Sequence, residues 1–156
     1  MQWPEAAVVC EVGPRDGFQM ETTWIPTDTK VRILSELSRT GLRCIQATSF
    51  VHPRAIPQLR DADEVMARLD RVSGVRYTAL VPNERGVERA IAARTDGVEM
   101  VVSVSDSHCL SNTNMTTEQA IEIELECYRR MVDHPDRHEG VAAFNERRPP
   151  KFQDAY

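Results

Sequence analysis

Short apolar runs alternate with helical patterns of apolar residues along most of the chain. Four of these runs predict β-strands, at residues 7–12, 44–48, 75–81 and 98–104. Strands separated by helices at this spacing predict parallel pairing through right-handed crossover connections. The pattern therefore predicts an α/β fold. By itself it leaves open both four β/α units of a (β/α)8 barrel and a small doubly wound sheet.

Helices are predicted where apolar residues recur three and four positions apart. They are expected from residue 27 to a stop at Gly41, at residues 61–72, at residues 84–94, and from residue 116 onward. In the third helix, Ala90 and Ile91 are expected to face the core. At the start of the fourth, Thr116 and Gln119 have the spacing of a capping box, in which each side chain bonds the backbone of the other residue.

The alternation of strands and helices stops near residue 130. No fifth strand is apparent there, and residues 137–148 predict one more helix, which Pro149 and Pro150 end. We therefore predict a strand–helix domain at residues 1–130 and a C-terminal helix with its tail at residues 131–156.

Composition narrows the class of protein. The chain has 156 residues, of which 41% are hydrophobic and 28% charged, and this balance is typical of one globular domain. A net charge of −5 offers no basic patch, so no nucleic-acid partner is expected. No apolar run approaches the ~20 residues of a membrane span, and the N-terminus lacks the features of a secretory signal. We expect a cytoplasmic protein without a membrane partner.

The four cysteines are Cys10, Cys44, Cys109 and Cys127. No two of them form a C-x-x-C pair, and most lie in or beside apolar segments. The sequence therefore predicts free, reduced thiols in the core of a cytoplasmic protein. A catalytic thiol is the alternative, and no local signature supports it.

Candidate chemistry is densest at residues 11–19, directly after the first predicted strand. In a barrel this position lies at the carboxyl end of the strands, where active sites form. Asp16 is a hard oxygen ligand suited to Mg²⁺ or Mn²⁺, and Arg15 could stabilise negative charge on a carbonyl or enolate oxygen. The alternative is a loop-capping aspartate paired with a solvent-facing arginine.

Several segments in order resemble the hydroxymethylglutaryl-CoA lyase family. They are residues 11–19, 25–26, 37–42, 47–51, 57–58, 80–83 and 102–114, within a collinear stretch of about residues 6–130. The resemblance implies the first four β/α units of a TIM (β/α)8 barrel, a partial barrel, followed by the C-terminal helix. It also implies a Mg²⁺- or Mn²⁺-dependent enzyme that cleaves an acyl-CoA substrate to acetyl-CoA and acetoacetate.

The resemblance implies roles for five residues. Arg15 is expected to be the catalytic arginine that neutralises a developing enolate, and Asp16 a metal ligand. Gln19, Gln46 and Ser49 are expected to bind the substrate. The family usually has glutamate at the position of Gln46. Glutamine keeps the hydrogen bonds but lacks the charge, which would weaken a pairing with Arg15.

The family's two histidine ligands and its asparagine ligand have no counterpart in this sequence. We therefore expect a truncated chain that is weakly active or inactive. His52, His108, and the pair His134 and His138 are not expected to replace the missing ligands. A second hypothesis is a non-catalytic fusion remnant or oligomerising module, in which a half barrel with two open sheet edges forms a homo-oligomer.

Residues 136–152 resemble the C-terminal end of enoyl-CoA hydratases, the crotonase family. The resemblance implies a join between two coding sequences, and the alternative is a coincidental helix. It supports a third hypothesis, an acyl-CoA binder related to enoyl-CoA hydratase. No catalytic residue of that family is implied in the tail.

Overall fold

The computed structural model describes residues 6–101, 103–132 and 135–153 of the chain. The residues form two compact units, Met1–Val101 and Val102–Tyr156. The first unit contains strands β1 (Cys10–Glu11), β2 (Cys44–Ser49), β3 (Arg76–Leu80) and β4 (Gly97–Glu99), and helices α1 (Phe18–Met20), α2 (Thr27–Leu37), α3 (Ala62–Arg68) and α4 (Glu84–Ala92). The second contains helices α5 (Asp106–Thr113), α6 (Thr117–Val132) and α7 (Pro135–Glu146).

The four strands form one parallel sheet in the order β1-β2-β3-β4. Sequential parallel strands joined by helices are the repeating unit of an α/β barrel, so the predicted fold class is confirmed. The first pair aligns Cys10 with Cys44, and the last aligns Ala79 with Val98. The carboxyl ends of all four strands therefore lie along the same edge of the sheet.

The core of the first unit lies between this sheet and its helices. Its buried apolar side chains are Leu34, Ile45, Ala47, Phe50, Ala62, Val65, Met66, Leu69, Tyr77, Ala79, Val81 and Ala90. Strand β2 is buried along most of its length because helices and strands cover it. A near-continuous buried run is typical of a parallel strand with a neighbour on each side.

The rotation of α4 differs from the prediction at one position. Ala90 is fully buried as expected, but Ile91 is 63% exposed, so its predicted core position is wrong. Gly86 explains the difference. A Cβ atom there would lie 2.9 Å from Cδ of Pro82 and 3.3 Å from Cβ of Val81. The helix backbone therefore approaches the preceding loop through Gly86, which directs Ile91 outward.

The two edge strands are shorter than predicted. The sequence predicted residues 7–12 and 98–104, whereas pairing is confined to Cys10–Glu11 and Gly97–Glu99. An apolar run records hydrophobicity but not how many neighbours a strand has. Val8 is 70% exposed and Val101 56% exposed, because each lies just outside a strand that pairs on one side only.

The prediction of free reduced thiols is wrong for two cysteines. Cys10 and Cys44 form a disulfide between β1 and β2, with Cα atoms 4.4 Å apart. The parallel register places them opposite each other, which their separation of 34 residues could not indicate. Cys109 is a buried free thiol as expected, and the side chain of Cys127 lies outside the described part of the chain.

The ends of two helices in the second unit are set by local capping, and one of these caps was predicted from the sequence. The predicted capping box at the start of α6 is confirmed: the Thr116 backbone N–H donates to Oε1 of Gln119 at 2.9 Å, and the Gln119 N–H donates to Oγ1 of Thr116 at 3.2 Å. Helix α5 is not among the helices that the sequence predicted. Asn114, in the left-handed conformation, ends α5.

Among the residues that the structure describes, no helix is long and apolar enough to cross a membrane.

Candidate functional site

A tight turn places the candidate catalytic residues at the carboxyl end of β1. The Val12 carbonyl accepts hydrogen bonds from the backbone N–H groups of Arg15 at 3.0 Å and Asp16 at 2.7 Å. Gly13 begins the turn, and its N–H donates to Oε1 of Glu11 at 2.6 Å. A Cβ atom on Gly13 would lie 2.8 Å from that same oxygen, so another residue there would displace the Glu11 carboxylate.

Arg15 and Asp16 differ in exposure although they are adjacent. The Arg15 side chain is 18% exposed and that of Asp16 is 56% exposed, and Nη1 of Arg15 lies 2.6 Å from Oδ1 of Asp16. A solvent-facing arginine was the alternative interpretation, and the burial of Arg15 argues against it. The pair places a largely buried cation beside an accessible carboxylate at the end of the strand.

Gln46 connects Arg15 to a second carboxylate. Nε of Arg15 donates to Oε1 of Gln46, and Nε2 of Gln46 donates to Oε2 of Glu99. The other carboxylate oxygen of Glu99 accepts a hydrogen bond from Oγ1 of Thr78 at 2.8 Å. The side chains of four elements thus form one polar network, named here the Arg15 network: Asp16, Arg15, Gln46, Glu99 and Thr78.

Glu99 is the member of the Arg15 network that sequence reasoning missed. In the sequence it is a single charged residue within the apolar run at residues 98–104. That interruption was the available signal, although Glu99 is exposed and an exposed charge does not by itself call for a partner. Its partner was not visible in the sequence, because Gln46 lies 53 residues away.

The remaining predicted substrate-binding residues lie at different depths. Ser49 ends β2 and is 1% exposed, and its hydroxyl donates to the Leu80 carbonyl at 3.1 Å. Gln46 is also 1% exposed. Gln19 lies half-buried in α1, the short helix that follows the turn carrying Arg15. The structure therefore brings Gln46 into contact with Arg15 and leaves Ser49 bonded to the neighbouring strand.

The histidines that the structure describes are all exposed. His52 is exposed, and its Nδ1 accepts a hydrogen bond from the Arg54 N–H at 3.2 Å. His108 is exposed on α5, and His138 is exposed on α7. The expectation that His134 and His138 do not form a ligand pair is not tested, because His134 lies outside the described ranges. Within those ranges, no group of three or more histidine, cysteine, aspartate or glutamate side chains could hold a metal ion.

Parallel β/α units with an arginine and a carboxylate at the carboxyl end of the first strand define the class: part of an α/β-barrel protein with its polar site at the barrel mouth. Comparison with known proteins gives the family. The HMGL-like family model matches residues 6–153, and the chain belongs to that family.

Known relatives and solved structures agree with this assignment. The chain is 46% identical over 123 residues to the hydroxymethylglutaryl-CoA lyase YngG of Bacillus subtilis, covering 79% of this chain and 41% of that protein. It is 42% identical over 120 residues to the mitochondrial hydroxymethylglutaryl-CoA lyase of Gallus gallus, covering 77% and 40%. The chain therefore spans about two fifths of the length of the curated relatives it matches.

Two solved HMG-CoA lyase structures show the same fold. The B. subtilis enzyme superposes with a TM-score of 0.75 at 46% identity, covering 79% of this chain and 41% of that one. The Acinetobacter baumannii enzyme, solved with coenzyme A and 3-methylmalate, gives a TM-score of 0.74 at 42% identity, covering 80% and 41%. The resemblance to the lyase family and the partial-barrel fold are both confirmed.

Proposed function

We propose that this chain carries the arginine–aspartate part of the active site of a carbon–carbon lyase that acts on an acyl-CoA of the hydroxymethylglutaryl type. The observation that supports it is the placement of Arg15. Its guanidinium is largely buried at the carboxyl end of β1 and is held by Asp16 and Gln46. A fixed cation at a barrel mouth is suited to stabilise charge that develops during a reaction.

The proposed cleavage develops negative charge on one fragment. When the carbon–carbon bond of hydroxymethylglutaryl-CoA breaks, the hydroxyl group loses its proton and becomes the ketone of acetoacetate. The bonding electron pair passes to the thioester fragment as an enolate, which then takes up a proton to give acetyl-CoA. Arg15 would stabilise the enolate oxygen. Two of its five N–H donors make the contacts described, to Gln46 and Asp16.

The proposal includes Mg²⁺ or Mn²⁺ as cofactor, with Asp16 as one ligand. The Asp16 carboxylate is 56% exposed and chemically suited to such an ion. One carboxylate binds Mg²⁺ weakly, and the described residues offer no cluster of three ligating side chains around it. They therefore do not complete a metal site, and the proposal requires further ligands from outside them.

Substrate contacts by Gln19, Gln46 and Ser49 are part of the proposal. Gln19 is half-buried in α1, directly after the turn that carries Arg15, and its position supports a direct contact. Gln46 and Ser49 are each 1% exposed, so a bound acyl-CoA would reach them only through the interior side of the sheet. The solved relative with bound coenzyme A supports an acyl-CoA as the substrate class.

The first test is Asp16→Asn, which removes the accessible charge at the site and keeps the side-chain shape. Acetoacetate release from hydroxymethylglutaryl-CoA is measured with Mg²⁺ or Mn²⁺, and Mn²⁺ binding is measured by calorimetry. We expect any metal-dependent release and Mn²⁺ binding by the chain to be lost in the variant. The physical reason is that an amide binds these ions far more weakly than a carboxylate.

Asp70→Asn is the matched control, because Asp70 is 72% exposed and pairs only with the exposed Arg39 in the contacts described. It should leave release and Mn²⁺ binding unchanged. Release equal in the wild type, Asp16→Asn and Asp70→Asn chains would contradict the assigned role of Asp16. Absence of release in all three chains would contradict lyase activity in the chain by itself and leave Mn²⁺ binding to decide the metal role.

A second candidate function is self-association of the half barrel. The outer edges of β1 and β4 each lack a paired strand within the described residues. Apolar side chains lie beside both edges: Val8 and Val9 are 70% and 66% exposed, and Met100 is 59% exposed. Unpaired parallel edges with apolar flanks favour addition of further strands. A second copy of the chain could supply them, which makes a homo-oligomer the proposed state.

Two further expectations are part of the proposal. The crotonase-like origin of residues 131–156 is supported only by their sequence pattern, and the family match that runs to residue 153 includes most of them. The cytoplasm is the proposed compartment, as for the cytoplasmic 3-hydroxy-3-methylglutaryl-CoA lyases among its relatives, whereas other relatives are mitochondrial.

A further inference from the structure

Gln46 lies between one cation and one anion. Its amide oxygen accepts from Nε of Arg15, and its amide nitrogen donates to Oε2 of Glu99. The residue is 1% exposed, so both polar ends are removed from water and depend on these two partners. A primary amide presents a different atom at each end, and only this orientation offers an acceptor to Arg15 and a donor to Glu99.

The sheet brings the partners of Gln46 together. Gln46 on β2 is aligned with Thr78 on β3, and Leu80 on β3 is aligned with Glu99 on β4. Side chains two residues apart on a strand share a face, so Thr78 points to the same side of β3 as Leu80. Thr78 occupies the second carboxylate oxygen of Glu99 with a 2.8 Å hydrogen bond. The Glu99 carboxylate is therefore held on both oxygens, although its residue lies on an edge strand.

From this arrangement we propose that Glu99 is a positioning residue for Arg15 and acts through Gln46. The carboxylate fixes the amide so that its oxygen faces Nε of Arg15. Donation to an anion also draws electron density toward that oxygen, which strengthens its acceptance from the guanidinium. The side chain of Arg15 is then held by Asp16 on Nη1 and by the Gln46–Glu99 pair on Nε.

The action of Glu99 on Arg15 through Gln46 is named here the Glu99 relay. Its effect on carbon–carbon cleavage rests on the proposed function, whereas the relay itself concerns only the conformation of Arg15. The test therefore reads Arg15 directly. In a chain labelled with ¹⁵N-arginine, the Nε–H signal of Arg15 is assigned by its loss in Arg15→Lys. Its exchange rate with solvent hydrogen is then measured in the variants at one fixed pH.

Glu99→Gln removes the charge and keeps a side chain of the same shape. We expect Nε–H exchange of Arg15 to become about 5- to 30-fold faster, the factor that corresponds to about 1–2 kcal/mol. Glu36→Gln is the matched control, because Glu36 is exposed on α2 and loses the same charge. The double variant Gln46→Glu with Glu99→Gln exchanges the two groups and places a carboxylate directly on Arg15. Exchange in it should return to the wild-type rate or below.

A purely structural role for Glu99 predicts a different pattern of Arg15 exchange rates. If Glu99 served only to attach β4 through Thr78, Thr78→Val would speed Arg15 exchange as much as Glu99→Gln, and the double variant would not restore it. Pairing of β4 is followed separately through the Val81 N–H, which donates to the Glu99 carbonyl at 2.9 Å. Equal Arg15 exchange in Glu99→Gln and Glu36→Gln, with Val81 still protected, would overturn the proposal. Failure of the double variant to restore slow exchange would overturn it too.

Acetoacetate release, where it occurs, separates this proposal from the proposed function. Glu99→Gln should lower kcat more than it changes KM, because Arg15 is expected to act on charge that develops after binding. A chain that releases no acetoacetate yet shows the exchange pattern would contradict the lyase function and support the relay. A chain with release that is unaffected by Glu99→Gln would support the lyase function and contradict an effect of the relay on catalysis.

Discussion

At the scale of single residues, the structure buries one charged side chain that the hydrophobic pattern would place at the surface. Lys30 on α2 is 2% exposed, and its ammonium group lies 2.7 Å from Oδ1 of Asp61. It also donates to the Gln58 carbonyl and lies 3.9 Å from the ring centre of Trp24. Asp61 is 8% exposed and accepts a second hydrogen bond, at 2.8 Å, from Thr27. The pair joins α2 to the start of α3 in the interior of the first unit.

Asp61→Asn should lower the free energy of unfolding by about 3–5 kcal/mol, because it leaves the Lys30 charge buried without its anion. Chemical denaturation followed by circular dichroism measures the loss. The same substitution at the exposed Asp70 should cost at most about 1 kcal/mol, since exposed ion pairs contribute little. A similar small loss for both variants would show that the Lys30–Asp61 pair does not depend on its charge.

At the scale of elements, α7 is anchored to the tail that follows it by one carboxylate. Glu139 accepts hydrogen bonds from Nη1 of Arg148 at 2.5 Å and from Nη2 at 2.9 Å, and from the Lys151 backbone N–H at 2.6 Å. The hydrogen bonds from Arg148, followed by that from Lys151, lower the pKa of Glu139 from its usual 4.5 to about 2. The predicted helix at residues 137–148 is observed as Pro135–Glu146, and Glu139 fixes the turn after it.

The attachment of this tail should depend on pH. Because the pKa of Glu139 is lowered in the folded chain, its stabilising effect is fully present above about pH 4.5 and is lost as the pH falls from there to about 2. The backbone amide signal of Lys151, followed by NMR through this range, should move to the position of a detached tail. Glu139→Gln should show the detached position at neutral pH. An unchanged Lys151 signal down to pH 2 would contradict the assigned role of Glu139.

At the scale of the whole molecule, the two outer edges of the four-stranded sheet determine where a further strand could pair with the first unit. Its edges are short and flanked by exposed valines and methionine, in contrast to the buried β2. Charged residues on an edge oppose strand addition, and Glu99 is the only charge in β4. Beside β1, the flanking residues Val8 and Val9 are uncharged and do not oppose strand addition in this way.

Self-association of the chain should therefore depend on the β1 edge. We expect the weight-average mass from sedimentation to rise with concentration toward that of a dimer, and Val9→Lys to shift the chain toward the monomer. The reason is that a lysine on an edge must be desolvated when another strand pairs with it. Ile91→Lys on α4 is the control, since Ile91 is 63% exposed but lies on a helix. A monomer at every concentration would exclude the proposed homo-oligomer.

The sequence by itself determined the class of fold, most of the buried face and the position of Arg15 and Asp16 at the carboxyl end of β1. These features follow from local periodicity, turn residues and short-range motifs, all of which are written in neighbouring positions. The capping box of Thr116 and Gln119 was predictable for the same reason. The strand boundaries were less accurate, because pairing on one or two sides is not a local property.

Only the tertiary structure decided which distant residues meet. Cys10 bonds to Cys44, and Gln46 joins Arg15 to Glu99, because parallel register aligns strands that are far apart in the sequence. The sequence suggested that the amide of Gln46 would weaken a pairing with Arg15. The sheet instead places a carboxylate at the other end of that amide. Periodicity assigns a residue to a face, whereas its partner on that face depends on register, and register is set by the packing of the whole sheet.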